Sequence, residues 1–507
     1  MMGSYSSNNK LIVKNTFFLY IRSIILMLVA LYTSRVVLQV LGVEDYGIYN
    51  VVGGVVTMFS MLSSTLSAAT QRFITYALGG NDFNHLKKVF STAITLHILI
   101  GVIVVVLLEV LGVWFLNHKL NIPAERLSVA NWVFQFSILT FLVNVVSVPY
   151  NALIIAHEKM SAFAYISIID GFLKLGIALL LQWVTFDKLL LYAILHSIVA
   201  IIIRLIYSTY CTRNFVEATC LSLQIDKSLF KEMFGFSAWN FIGVGSLVLR
   251  NQGIDILLNI FFGVSVNAAK GISNQVQGAV QQFVGNFTSA VNPQLTKSVA
   301  QKDYARTSSL IIHGSRLAFF LMMIFAVPII VYSKEILHLW LIDVPQYSES
   351  MVKLIMICLL SDTISLFIKN TLLAFGDIRN YQIIAGGIKL LALPLAYLIL
   401  KCGGSPLTGI WVNIILEFVC IGFRLFLIKQ KKMELNIYSF IFKVLLSCWT
   451  VFFIAYISAS VFYYHVSDNL YIGVALCVII TIICIYAALS KSERNLIKKG
   501  IYKKINR

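Results

Sequence analysis

Apolar runs of roughly 20 residues or more, each long enough to cross about 30 Å of hydrocarbon, begin near residues 15, 47, 88, 128, 160, 187, 233, 266, 308, 352, 380, 406, 438 and 469. The pattern predicts an all-α polytopic membrane protein with about 14 transmembrane helices. The basic residues between the runs alternate. Lys10, Lys14, Lys87, Lys88, Lys159, Arg213, Lys227, Lys231, Lys297, Lys302, Arg306, Arg379, Lys429, Lys431 and Lys432 fall on one side, against Lys119, Arg126, Lys188, Lys334, Lys353 and Lys401 on the other. Loops rich in Lys and Arg stay cytoplasmic, so both termini, including the basic tail that ends at Arg507, are expected on that side.

The pattern also repeats. Laying Gly42-Val43 on Gly263-Val264 lays one polar-flecked apolar helix on another. In the second copy Asn267, Lys270, Asn274, Gln277, Gln281, Thr288 and Asn292 recur at steps of three, four or seven, which is one helix face. The first copy has Tyr46, Tyr49, Gly53, Val56, Ser60, Ser67 and Gln71 at those places. Six helices per copy is an even number, so the copies share one orientation, a parallel repeat about an axis along the membrane normal. The expected divisions are an N-lobe over 1–220 (helices 1–6), a C-lobe over 221–432 (helices 7–12), and 433–507 for helices 13–14 with the tail. Facing stripes on two such lobes would enclose a polar cavity. In the first copy, Gly53, Ser60, Ser63, Ser64 and Ser67 equally suit close helix packing.

Composition agrees. The chain is 59% hydrophobic and 12% charged, with mean hydropathy +0.85, too apolar to present a soluble surface. Its net charge of +18 has no soluble domain on which to form a nucleic-acid face, so no nucleic acid is expected. The eight cysteines lie mostly in apolar runs and suggest neither a disulfide framework nor a metal site. There is no HExxH, no Walker A lysine loop and no GxSxG, and the histidines are isolated. No catalytic residue is assigned, and an enzyme is not expected.

An ionisable group in hydrocarbon costs about 2.5–3.5 kcal/mol on insertion scales, so each requires a partner or a use. Asp170 and Lys174, four apart, are expected to neutralise one another. Glu417 and Arg424, seven apart, are expected to pair. Asp362 and Lys369 share that spacing, either as a pair or as two groups lining one cavity. Arg204 is near enough to a helix end to snorkel. Arg22, Arg250, Lys270, Arg316 and Lys389 have no sequence-local acid, except that Asp255 is within reach of Arg250. The expected cavity is therefore positive and amide-lined, with Arg22, Arg35, Gln39, Arg250, Lys270, Asn274, Gln277, Gln281, Arg316, Lys369 and Lys389 as its substrate-binding set. Cations hold a phosphate and amides satisfy sugar hydroxyls. Glu109, Asp170, Asp255 and Asp362 are the candidates for proton or sodium coupling, and no other cofactor is expected.

The run Ser34-Arg35-Val36-Val37-Leu38 with Leu41-Gly42-Val43-Glu44-Asp45-Tyr46-Gly47-Ile48-Tyr49 resembles the end of helix 1 and start of helix 2 in bacterial polysaccharide flippases, the O-antigen and capsule repeat-unit exporters. The two lobes with two extra helices look like the wider multidrug/oligosaccharidyl-lipid/polysaccharide exporter superfamily, which includes lipid II flippases. The resemblance implies alternating access that turns over undecaprenyl-pyrophosphate-linked oligosaccharide across the bacterial inner membrane, with cavity cations such as Arg22, Arg35, Arg250 and Lys270 on the pyrophosphate. It further implies lipid-linked substrate and membrane lipid as partners, contact with other polysaccharide assembly proteins, and a monomer. Two other readings are a cation-coupled multidrug exporter of the same fold, which calls for an acidic cavity, and a membrane polysaccharide polymerase or ligase, which calls for larger outer loops.

Overall fold

Gly42 and Gly263 share one backbone conformation. Their φ/ψ values are 79°/171° and 81°/−172°, a region that only glycine enters without strain. Each marks a sharp break between two helices, at the same place in both copies of the repeat read from the sequence. The computed structural model describes residues 2–79, 83–157, 159–219, 226–375, 378–431, 433, 435–465, 470–490 and 493–494. The side chains of 2–21, 60–64, 236–244 and several positions in 286–300 lie outside that description, as does the tail beyond 494. Among the described residues there is no strand.

Two units are distinct: 1–271 with 341–346, and 272–340 with 347–507. The first holds α1 (Met2–Thr57, broken at Gly42), α2 (Ser60–Gly79), α3 (Phe83–Leu107), α4 (Val113–His118), α5 (Leu127–Ala156), α6 (Met160–Leu180), α7 (Lys188–Asn214), α8 (Lys227–Phe262) and the first turns of α9 (Val264–Ala300). A π-helical turn, Leu108–Gly112, joins α3 to α4. The second unit holds the rest of α9, α10 (Tyr304–Val331), α11 (Ser333–Trp340), α12 (Ser348–Ile364), α13 (Leu366–Ala374), α14 (Ile378–Leu390), α15 (Ala392–Lys401) and α16 (Thr408–Gln430). It ends with α17 (Ile437–Phe440), a π-helical turn Ile441–Leu446, α18 (Ser447–His465) and α19 (Leu470–Ala488).

With Gly42 laid on Gly263, α3 falls on α10, α5 on α12 with α13, α6 on α14 with α15, and α7 on α16. The repeat therefore extends through all six helices of each copy. In the chain the first unit passes to the second between residues 271 and 272. That point falls inside α9, because α8 packs against α1, α2 and α3 and joins the first unit.

Among the described residues, ten helices are long and apolar enough to cross a membrane, or eleven with the bent pair α12–α13. The other three expected spans, in α2, α8 and α9, run partly through residues outside the description. The protein is a multi-pass membrane protein, as the run lengths predicted. Lipid gives no hydrophobic drive between helices, so small residues in close contact hold them together. A methyl group on Gly112 would lie 2.5 Å from Phe134, and one on Gly314 would lie 2.9 Å from Phe367.

Candidate functional site

The Gly42 end of the first unit is closed by direct contact between the two repeat copies. A Cβ on Gly47 would lie 2.0 Å from the carbonyl oxygen of Val264, and one on Gly271 would lie 2.8 Å from Asn50 Oδ1. Asn50 and Gly271 occupy the same place in their respective copies, so the contact joins equivalent positions. Beside it, the fully buried Asn259 accepts from the Asn121 backbone N–H at 2.7 Å. Arg126 donates from Nε to Asp45 Oδ1 at 2.8 Å and from Nη1 to Asp187 Oδ2 at 2.6 Å, while Asp187 caps α7 by accepting from Leu190 N. Burial alone would raise the Asp187 carboxyl, but the Arg126 hydrogen bonds outweigh it and hold the group below its usual range.

The cations of the first unit divide into paired and unpaired. Lys270 lies 3.7 Å from Asp255, whose backbone carbonyl accepts from Asn267 Nδ2 at 2.7 Å. Asp255 thus reaches Lys270, across the Gly263 break, rather than Arg250 as expected. Arg250 donates only to its neighbour Asn251, at 3.2 Å, and forms no ion pair among the described residues. Arg22 stacks on Phe163 at 4.6 Å, and its buried Nε has no hydrogen-bond partner there. Arg35 is half-buried and Gln39 is exposed. Asp170 and Lys174 pair at 2.7 Å, as their spacing predicted. Arg204 stacks on the Tyr150 ring at 4.1 Å. Glu109 accepts from Gln135 Nε2 at 3.0 Å on an exposed face.

In the second unit, α9 exposes Asn274, Gly278, Gln281 and Gly285, with Gln277 half-buried between them. Asn292, further along the predicted stripe, accepts from Asn370 Nδ2 at 2.8 Å. The first-copy stripe is less defined, because the side chains of Ser60, Ser63 and Ser64 lie outside the described residues.

Three elements of the same unit bring a buried charge cluster together. Lys389 sits 3.0 Å from Glu417 and 3.6 Å from Asp362. Arg424 Nη1 donates to Glu417 Oε1 at 2.8 Å and to Ser365 Oγ, and its Nε donates to Tyr381 at 3.2 Å. The Glu417–Arg424 pair matches its seven-residue spacing. Lys389, which has no acid near it in sequence, has two in space. Lys369, expected to pair with Asp362 or line a cavity with it, forms no ion pair among the described residues.

Arg316, placed in the expected lining set, ties α10 to the C-terminal helices. Its Nε donates to Glu493 Oε1 at 2.8 Å, Nη1 to Ser447 Oγ at 2.9 Å and to the Lys443 carbonyl, and Nη2 to the Ala488 carbonyl at 2.8 Å. Glu493 is fully buried. Burial would raise its carboxyl, but bonds from His313, Ser490 N–H and Arg316 prevail and bring it to about 2. A depressed carboxylate stabilises above its unfolded value of about 4.3 and loses that contribution as pH falls toward 2. We expect detergent-solubilised protein to melt progressively lower from about pH 5 to pH 3, and Glu493→Gln to flatten that slope. An unchanged slope would exclude the Glu493–Arg316 tie as the cause.

Sequence reasoning missed Asn259, Arg126 and Tyr381. In the sequence Arg126 is only a loop charge, and Asn259 is one amide at the end of an apolar run, four residues before Gly263. Their partners are between 43 and 138 residues away, beyond any local pattern.

The model of the polysaccharide biosynthesis protein family matches residues 12–299. No curated protein matches the chain. Among solved structures, the lipid II flippase MurJ in an inward closed conformation aligns with TM-score 0.71 at 13% identity, over 96% of this chain and 100% of that one. An inward-facing multidrug resistance MATE family transporter of the MOP superfamily aligns with TM-score 0.68 at 12% identity, over 81% of this chain and 96% of its own. A Vibrio cholerae MATE transporter variant follows at TM-score 0.61 and 16% identity, over 86% and 99%. At such identities the likeness is one of fold, and the proteins that share it are transporters and a flippase rather than enzymes. The family match spans more than half of the sequence, and the chain belongs to the polysaccharide biosynthesis protein family.

Proposed function

We propose that the protein flips undecaprenyl-pyrophosphate-linked oligosaccharide repeat units across the bacterial cytoplasmic membrane by alternating access, with both termini cytoplasmic. The observation that carries this reading is the exposed face of α9. Where α3 exposes Val102, Ile103 and Val106, α9 exposes Asn274, Gly278, Gln281 and Gly285 at helical spacing. An exposed row of amides at helical spacing suits water and sugar hydroxyls, which both donate and accept. Arg22 and Arg250, without carboxylate partners among the described residues, remain available for a pyrophosphate, to which guanidinium groups bind bidentately. Lys270 and Lys389 are already committed to carboxylates and serve that role less well.

In a flippase-null strain, we expect Arg22→Ala with Arg250→Ala to leave lipid-linked sugar on the inner leaflet, with transport reduced at least about 100-fold if each lost charge-assisted bond is worth roughly 1.5–3 kcal/mol. Normal surface polymer from the double variant would remove the cationic mechanism. The likeness to multidrug transporters favours one other reading, a cation-coupled drug exporter. That reading requires Asp255→Asn or Asp362→Asn to abolish export while the arginine variants stay active.

A further inference from the structure

Arg126, Arg316 and Arg424 each end on a carboxylate. Arg22 and Arg204, both in the first unit, lie on aromatic faces instead, 4.6 Å from the centre of the Phe163 ring and 4.1 Å from that of Tyr150. Neither forms an ion pair among the described residues. A ring face offsets part of the cost of taking a guanidinium out of water, yet it covers only the plane of the group. The N–H donors point outward along the edge, and the buried Nε of Arg22 has no hydrogen-bond partner there.

The two stacks stand close to one another. Tyr207 on α7 lies beside Arg22, Ser167 and Asn151. Arg204 is one turn before Tyr207, Phe163 is one turn before Ser167 on α6, and Tyr150 directly precedes Asn151 on α5. Both stacks therefore lie within about one helical turn, roughly 5 Å along an axis, of the same tyrosine. They occupy the end of the first unit away from the Gly42 break, since Tyr150 is in the last two turns of α5 and Phe163 in the first turn of α6. Asp170 is also close to Tyr207, but Lys174 holds it at 2.7 Å.

Two cations with unspent edges suit an anion that carries two charged groups. We infer that Arg204 is the residue by which this site selects a lipid diphosphate over a lipid monophosphate, with Arg22 on one phosphoryl group and Arg204 on the other. The inference rests on the function proposed above, in which Arg22 meets the pyrophosphate, and adds its specificity. Guanidinium edges pair with phosphoryl oxygens bidentately, and rings that fix both planes in advance leave less side-chain freedom to lose on binding. A monophosphate satisfies one arginine and leaves the other without an anion. Discrimination is then the difference between two charge-assisted contacts and one.

The test measures binding of farnesyl diphosphate and farnesyl monophosphate to the purified full-length protein in detergent. The wild type is expected to favour the diphosphate at least about tenfold, the worth of one charge-assisted contact. Arg204→Gln should weaken the diphosphate by a similar factor and the monophosphate far less, so that the preference collapses. Arg204→Lys keeps the charge without the planar edge and should fall between the two; it carries the comparison if Arg204→Gln does not accumulate. Arg22→Ala with Arg204→Gln should lose both ligands. Equal wild-type affinity for the two ligands overturns the proposal, and so does an Arg204→Gln protein that loses both alike or neither. If Arg22→Ala still weakens the diphosphate in that last case, the function proposed for Arg22 stands without Arg204. If the double variant binds both ligands as the wild type does, that function falls as well.

Discussion

Glu417→Ala is expected to destabilise the protein more than any other single change considered. The carboxylate is nearly fully buried and faces Arg424 and Lys389 at 2.8 and 3.0 Å, and both of these are also buried. Its removal leaves two buried cations without the carboxylate that both of them face. Breaking a buried ion pair typically costs about 3–5 kcal/mol, and here one deletion breaks two. A fall in melting temperature on the order of 10 °C should follow in detergent. Asp362→Ala supplies the internal comparison. It lies 3.6 Å from Lys389 with a side chain 37% exposed, so water and screening limit the effect to less than about 1 kcal/mol. Adding Lys389→Met to Glu417→Ala removes one of the stranded charges and should recover part of the loss, a coupling that a double-mutant cycle measures. If Glu417→Ala melts with the wild type, the cluster is not what holds α14, α16 and the α12–α13 bend together.

Gly47→Ala is expected to abolish closure at the Gly42 end. The added methyl carbon would stand 2.0 Å from the Val264 carbonyl oxygen, a backbone atom that cannot rotate aside. Overpacking of this kind costs about 1–3 kcal/mol, which lowers the population with this contact made roughly 5- to 150-fold. Val264 is buried in the closed arrangement. A Val264→Cys reporter should therefore react with an impermeant thiol reagent faster by a similar factor when Gly47→Ala is present. Gly271→Ala should act more mildly, because it meets the Asn50 side chain, and Gly53→Ala should be silent, with no atom within 4 Å. Equal labelling in all three variants would mean that the Gly47–Val264 contact does not gate the protein.

The candidate site was legible to the extent that its pairs were local. Asp170–Lys174 and Glu417–Arg424 could be read from spacings of four and seven, because residues so separated share a helix face. The pairings of Lys389 with Glu417, Arg316 with Glu493 and Arg126 with Asp45 and Asp187 join different helices. No periodicity carries that information. Lys270, Lys389 and Arg316, which have no acid near them in sequence, find their acids through packing.

What the sequence determined by itself is the apolar spans and their duplication, with Gly42 laid on Gly263. These depend on hydropathy along a span and on helical period, local properties of the chain. Tertiary structure alone decided which charges are spent on one another, that α8 joins the first unit, and that α18 and α19 pack against α10. In a membrane every helix surface is apolar, so hydropathy cannot tell a surface that meets lipid from one that meets protein; only the placed neighbour distinguishes them.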